Sequence, residues 1–192
     1  MHKTLEQIAH SLSLIFLPPM VSMYLCSYLT FVLFQQTGNT YFWQFTVFGF
    51  IAPVLLFIVF LKLKIISDPD ASDRKERTIP FIITLVLLLV LLMFNFNYGV
   101  EWDLTQLTIS YLATTIVILL INLFWKISAH AMTVAHSIGV LVGLGADLWW
   151  VGVPVLILLA WARLYLKRHT PMQVVAGTIV GFSIGFFIYR LW

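Results

Sequence analysis

Long apolar runs, each near the length of a lipid-spanning helix and parted by short polar breaks, constrain this chain more than any other feature. They fall at about 12–35, 42–62, 80–97, 104–124, 128–146, 149–166 and 171–191. A transmembrane helix needs roughly 20 apolar residues. Composition points the same way. Of 192 residues, 61% are hydrophobic and 10% charged, and the mean hydropathy is +0.98. A soluble domain carries about 25% charged residues. No globular core hides that much apolar surface, so the surplus must face lipid. The expected fold class is therefore all-α: a polytopic integral membrane helical bundle of six to seven transmembrane helices, in a single domain of residues 1–192. This excludes a separate soluble domain, a disordered regulator and a nucleic-acid-binding module.

Details of the runs sharpen that expectation. Pro18 and Pro19 predict a kink or a late start in the first run. The fifth and sixth nearly touch, which leaves open six spans plus a re-entrant or interfacial piece. Gln35–Asn39, Asn95–Asp103 and Asp147 read as turns, and Lys62–Ile79 as the sizeable loop. Cys26, the one cysteine, cannot form an intrachain disulfide and reads as a packing residue. Glu6 near the start, with no small-residue site after the run from Leu12, argues against a cleavable signal peptide.

Numbering the connections alternately separates the charges. Lys3, Lys62, Lys64, Arg74, Lys75, Arg77, Lys126, Arg163, Lys167 and Arg168 lie on the amino-terminal side, and Arg190 alone on the other. The positive-inside rule then predicts a cytoplasmic amino terminus in an integral cell (inner) membrane protein. Tyr41, Trp43, Trp102, Trp149 and Trp150 on one side, with Trp125, Trp161 and Tyr165 on the other, read as aromatic anchors at the two rims.

Three polar clusters fall on that amino-terminal side. They are Asp73-Arg74-Lys75-Glu76-Arg77-Thr78-Ile79-Pro80, Trp125-Lys126-Ile127-Ser128-Ala129-His130, and the stretch from Arg163 through His169-Thr170-Pro171-Met172-Gln173. An even number of crossings separates each from the next, so the topology allows one shared site. Bases and imidazoles beside helix amino termini describe a pocket for phosphate, which helix N–H groups and guanidinium forks both bind.

The third cluster, R-x5-H-x3-Q followed by V-V-A-G, resembles the S-R-x5-H-x3-D motif of the type 2 phosphatidic acid phosphatase (lipid phosphate phosphatase) superfamily. Ile127-Ser128-Ala129-His130 is similar to that family's P-S-G-H. The first cluster looks like a degenerate K-x6-R-P, with Arg77 nearest the family Arg. The matching core spans about 73–177. What the resemblance implies is a metal-independent phosphatase, without cofactor, that hydrolyses a phospholipid or isoprenoid phosphate through a phosphohistidine. His169 would be the nucleophile, and His130 the general acid and then the base for water. Arg163 and Arg77 would bind the phosphate, with Lys75 a weaker ligand and Ser128 offering a hydroxyl or N–H. Lys126 and Arg74 are nearby bases without a family counterpart. The implied partners are a membrane lipid phosphate and the bilayer, and the implied site is cytoplasmic.

The chain departs from the family pattern at definite positions. Gln173 replaces the Asp that holds the nucleophilic imidazole; its carbonyl can accept the N–H bond but brings no charge. Ala129 replaces Gly and Ile127 replaces Pro. Asp70 stands where the family has Lys.

Plainer readings run alongside. Thr170-Pro171-Met172-Gln173 is a capping box with Pro at the first helical position, whatever its catalytic use. His136, about 9 Å deeper than His130 along a helix, reads as a packed imidazole. Arg74, Lys75, Lys167 and Arg168 fit as anchors to the cytoplasmic headgroups, the preferred reading for the last two. Gly139 and Gly143, with Gly177, Gly181 and Gly185, repeat every four residues as seams for close helix packing. Two other functions compete: a non-catalytic relative that binds or transports an anionic lipid, and a small transporter with a basic vestibule.

Overall fold

The computed structural model describes residues 2–36, 40–69 and 71–191. Among the described residues the regular structure is helical throughout, with no strand. The elements are α1 (His2–Ile15), α2 (Pro18–Leu33), α3 (Tyr41–Lys62), α4 (Lys75–Asn97), α5 (Trp102–Phe124), α6 (Ala129–Gly143), α7 (Trp149–Tyr165) and α8 (Pro171–Leu191). Four of them, α3, α4, α5 and α8, are long and apolar enough to cross a membrane, and five if the bent pair α1–α2 counts as one span. With 15 and 17 residues, α6 and α7 extend about 22 and 25 Å, short of a hydrocarbon core of about 30 Å. The chain is thus a helical membrane bundle.

The first run breaks where Pro18 and Pro19 predict, and its helix begins earlier than the run at 12–35. A separate helix begins at His2, stops at Ile15, and restarts at Pro18 with a bend of 53°. Leu17 precedes a proline, which disfavours helical geometry there, and Pro18 and Pro19 withdraw two amide donors in succession. In the expected turn at Gln35–Asn39, Gln35 takes a left-handed φ of 52°; Thr37–Asn39 lie outside the described residues, as does Asp70. The fifth run ends early because Gly145, at φ 69°, lets its own N–H and that of Ala146 turn back onto the Val142 and Leu141 carbonyls.

Contacts group the chain into two compact units, Met1–Val21 with Lys126–Trp192, and Ser22–Trp125. In the first, α6 is the core: twelve of its fifteen residues are buried. One side of α6 carries Val134 and Ile138 against Leu159 of α7, with Val21 completing the cluster. The other side meets α8, and α1 packs on α7. Glycines set the α6–α8 contact. A methyl on Gly181 would lie 2.0 Å from the Met132 carbonyl oxygen, and one on Gly139 2.3 Å from that of Phe182. Gly177 meets Ser128, and Gly185 meets His136. Residue numbers on the two helices rise together, so α6 and α8 run parallel and begin at the same end.

In the second unit α5 is the buried helix, and it carries polar residues: Thr105, Gln106, Thr108, Ser110, Thr114, Thr115 and Asn122 are all buried. Ser110, Thr114 and Thr115 donate to carbonyls of the preceding turn. Asn95 donates to Thr108 Oγ1 at 3.0 Å, and the Tyr41 hydroxyl meets the same oxygen at 3.2 Å. Tyr41 is fully buried. It is a core residue of this unit and not the rim anchor expected from its position.

Candidate active site

The first unit brings two of the three sequence clusters together at the common start of α6 and α8. Helix α7 ends with Lys167 at φ 54°. The Lys167 N–H then reaches the Leu164 carbonyl and the Arg168 N–H the Arg163 carbonyl, a helix-terminating pair usually built on glycine. Two residues later the capping box forms as expected. Gln173 N–H donates to Thr170 Oγ1 at 3.4 Å, and Thr170 N–H donates back to Gln173 Oε1 at 3.1 Å. That same Oε1 accepts from His169 Nδ1 at 3.1 Å. An amide oxygen cannot donate, so this bond puts the neutral imidazole's proton on Nδ1 and its lone pair on Nε2. The cap and the imidazole thus share one oxygen.

Ser128 starts α6. Its hydroxyl accepts from Ala131 N–H at 3.4 Å, and its own N–H donates to the Gln173 carbonyl at 3.2 Å. The second bond ties the two helix starts together. It leaves the hydroxyl hydrogen as the donor Ser128 could turn to a ligand, from a fully buried side chain. His130, in the first turn of α6, donates Nε2–H to the Ser13 carbonyl at 3.3 Å. His136 is completely enclosed deeper in the same helix.

Arg163 is 1% exposed, His169 7% and His130 8%. A guanidinium keeps its charge at any accessible pH, so burying one is among the costlier things a bundle does. An open cleft of about 550 Å³ lies over the start of α8, lined by Lys126, Lys167, Arg168, His169, Thr170 and Gln173. It is edged by three cations and no acid.

The remaining expected site residues belong to the second unit. Arg77 is buried, and its Nε donates to the Ala71 carbonyl at 2.7 Å. Lys75 is exposed, its N–H held by Asp73. Arg74 has an employment the sequence did not reveal. Its Nη1 donates to the Asn122 carbonyl at 2.9 Å and to that of Leu123, capping α5, while Asn122 Nδ2 returns a bond to the Arg74 carbonyl at 2.8 Å. Conversely, Lys167 and Arg168, read from the sequence as anchors, line the cleft. Lys167 takes a left-handed φ of 54°, where glycine is the usual choice, and nothing in the sequence announces that position.

Among the described residues no group of three His, Cys, Asp or Glu side chains is placed to hold a metal ion. Compared with models of protein families, with curated proteins and with solved structures, the chain matches none of them.

Proposed function

We propose that this protein is a membrane-embedded lipid phosphatase that cleaves the phosphate ester of a phospholipid or isoprenoid through a phosphohistidine on His169. The observation that carries the reading is the His169–Gln173 bond at the head of α8, which fixes Nδ1 of an imidazole lining a cation-edged cleft and assigns the lone pair to Nε2. Two parallel helix starts set side by side also support it. Their positive ends repel one another, and an anion bound at that end offsets the repulsion.

In the first step His169 Nε2 attacks phosphorus in line. The N–P bond forms as the P–O ester bond breaks, and protonated His130 gives its proton to the leaving lipid alkoxide. Arg163 takes the charge that builds on the equatorial oxygens. In the second step water attacks phosphorus and passes a proton to His130, and the N–P bond breaks to release phosphate. The lipid tail stays in the bilayer throughout. In this reading the site opens to the cytoplasm. A cysteine introduced at Ser72, in a chain lacking Cys26, tests the sidedness: labelling from outside intact cells would reverse it.

A second reading, a non-catalytic protein that binds or moves an anionic lipid, is favoured by one observation: the partner of His169 is an uncharged amide. Phosphate release from a panel of lipid phosphates, measured on purified protein in detergent with excess chelator, decides between them. Release that survives chelation and vanishes in His169→Ala supports the phosphatase. Lipid binding that depends on Arg163, with no release from any substrate, moves the assignment to the second reading.

A further inference from the structure

The carbonyl of Ser13 is an unusual acceptor, and its availability traces to the sequence of the α1–α2 junction. In a continuous helix the amide of Leu17 would bond it. Here the Phe16 N–H bonds the Leu12 carbonyl at 3.0 Å and the Leu17 N–H slips forward to the Leu14 carbonyl at 3.3 Å. The next residue, Pro18, has no N–H to offer. The break therefore leaves a carbonyl at the end of α1 open to a donor from another helix, and His130 Nε2–H fills it at 3.3 Å.

We infer that the proline break between α1 and α2 is a positioning device for His130: it exposes the Ser13 carbonyl, which holds the imidazole in its Nε2–H tautomer and assigns proton transfer to Nδ1. The catalytic part of this role rests on the phosphatase reading above; the tautomer and its cause do not. The division of labour parallels His169, where Gln173 Oε1 holds Nδ1 and leaves Nε2 for chemistry. Each imidazole has one nitrogen fixed by an uncharged oxygen, and the two use opposite nitrogens. Ser13 and Pro18 are positioning residues, not catalytic ones, because neither touches the reacting atoms.

Pro18→Ala tests the inference without removing a side chain from the site. An alanine amide at 18 can bond Leu14, which frees the Leu17 N–H to return to Ser13 in ordinary helical register and compete with His130. Pro19→Ala is the control, because an amide there faces the Ile15 carbonyl instead. A second variant replaces Leu14 by its α-hydroxy acid, turning the Ser13 carbonyl into an ester and so a weaker acceptor with every side chain kept. The readouts are the 15N spectrum of the full-length protein in micelles, with His130 assigned by loss of its signals in His130→Gln, and kcat and KM separately. His130 is expected as the Nε2–H tautomer in wild type and Pro19→Ala, and as a mixture of tautomers in the two test variants. There kcat falls roughly 10- to 100-fold, a part of what a general acid supplies, while KM holds within about twofold. A wild-type Nδ1–H tautomer, or a His130 spectrum unmoved by both variants, overturns the inference. A wild type with the expected tautomer and no phosphatase activity sinks the phosphatase reading alone.

Discussion

Gly181→Ala places the smallest possible side chain at the tightest point of the α6–α8 seam. In an ordinary helix the change is favourable, since alanine exceeds glycine by about 1 kcal/mol in a helix interior. Here the new methyl would sit 2.0 Å from the Met132 carbonyl oxygen, with the Met132 backbone carbon 2.8 Å away. Both are main-chain atoms and cannot rotate aside. Reaching an ordinary contact of about 3.4 Å demands that the helices part by about 1.4 Å. Overpacking of this kind costs typically 1–3 kcal/mol and occasionally more. The same displacement stretches the Ser128 N–H to Gln173 bond, now 3.2 Å, beyond hydrogen-bonding range, for about another 1 kcal/mol. Backbone Cα–H···O contacts along the seam weaken as well. Against the propensity gain, the net is a loss of about 1–3 kcal/mol. Unfolding of the purified protein by SDS in mixed micelles, followed by its seven tryptophans and by far-UV circular dichroism, measures it. Ile179→Ala, on the exposed side of α8, reports the effect of a change that the seam does not feel. A Gly181→Ala protein as stable as wild type, or more so, would refute the seam and with it the link between the two helix starts.

Other substitutions probe the site and its supports. Gln173→Glu keeps the reach of the capping box and adds a charge beside His169; given that an acid-to-amide change in a catalytic triad costs about 10⁴ in turnover, a kcat at least tenfold above wild type is expected in the phosphate-release assay. Gln173→Ala removes both functions of the oxygen, lowering stability by about 1 kcal/mol and kcat by a hundredfold or more, read in parallel on one preparation. Lys167→Gly relieves the left-handed strain, raising stability by about 1 kcal/mol, yet weakens inhibition by inorganic phosphate because a cation leaves the cleft; a change of the same sign in both measurements contradicts that assignment. Asn122→Ala breaks the reciprocal clamp with Arg74 and costs about 1–3 kcal/mol, seen as earlier proteolytic cutting in the 63–74 loop.

What the sequence made legible was local. The start of α8 was readable because Thr170, Pro171 and Gln173 carry their instructions within four residues, and the glycine seam because spacing by four places residues on one face of a helix. An even number of crossings between the clusters allowed one shared site, and the structure brings Ser128 and Gln173 within hydrogen-bonding distance. What stayed hidden depends on partners distant in sequence. Arg74 looked like one more base in a basic cluster, since nothing near it announces the helix end at Asn122 and Leu123, 48 and 49 residues away. Tyr41 looked like an interfacial aromatic because its buried partner Thr108 lies 67 residues on. Even Pro18 and Pro19, which announced a break, gave no sign that the exposed carbonyl would be used by a histidine 117 residues later.

Gln173 shows why a structural and a chemical role can settle on one residue without conflict. At the third position of a helix the side chain must reach back to the cap N–H, which suits Glu and Gln better than the shorter Asp. An amide oxygen has two lone pairs, so it can accept from the Thr170 N–H and the His169 Nδ1–H at once, both at 3.1 Å. The first bond fixes the oxygen; the second uses the fixed oxygen to fix the ring. His169 therefore inherits its orientation from the helix start itself, and any change that frays the first turn of α8 must also loosen the imidazole. An aspartate would trade that coupling for charge. This chain keeps the coupling, at a cleft edged by Lys126, Lys167 and Arg168.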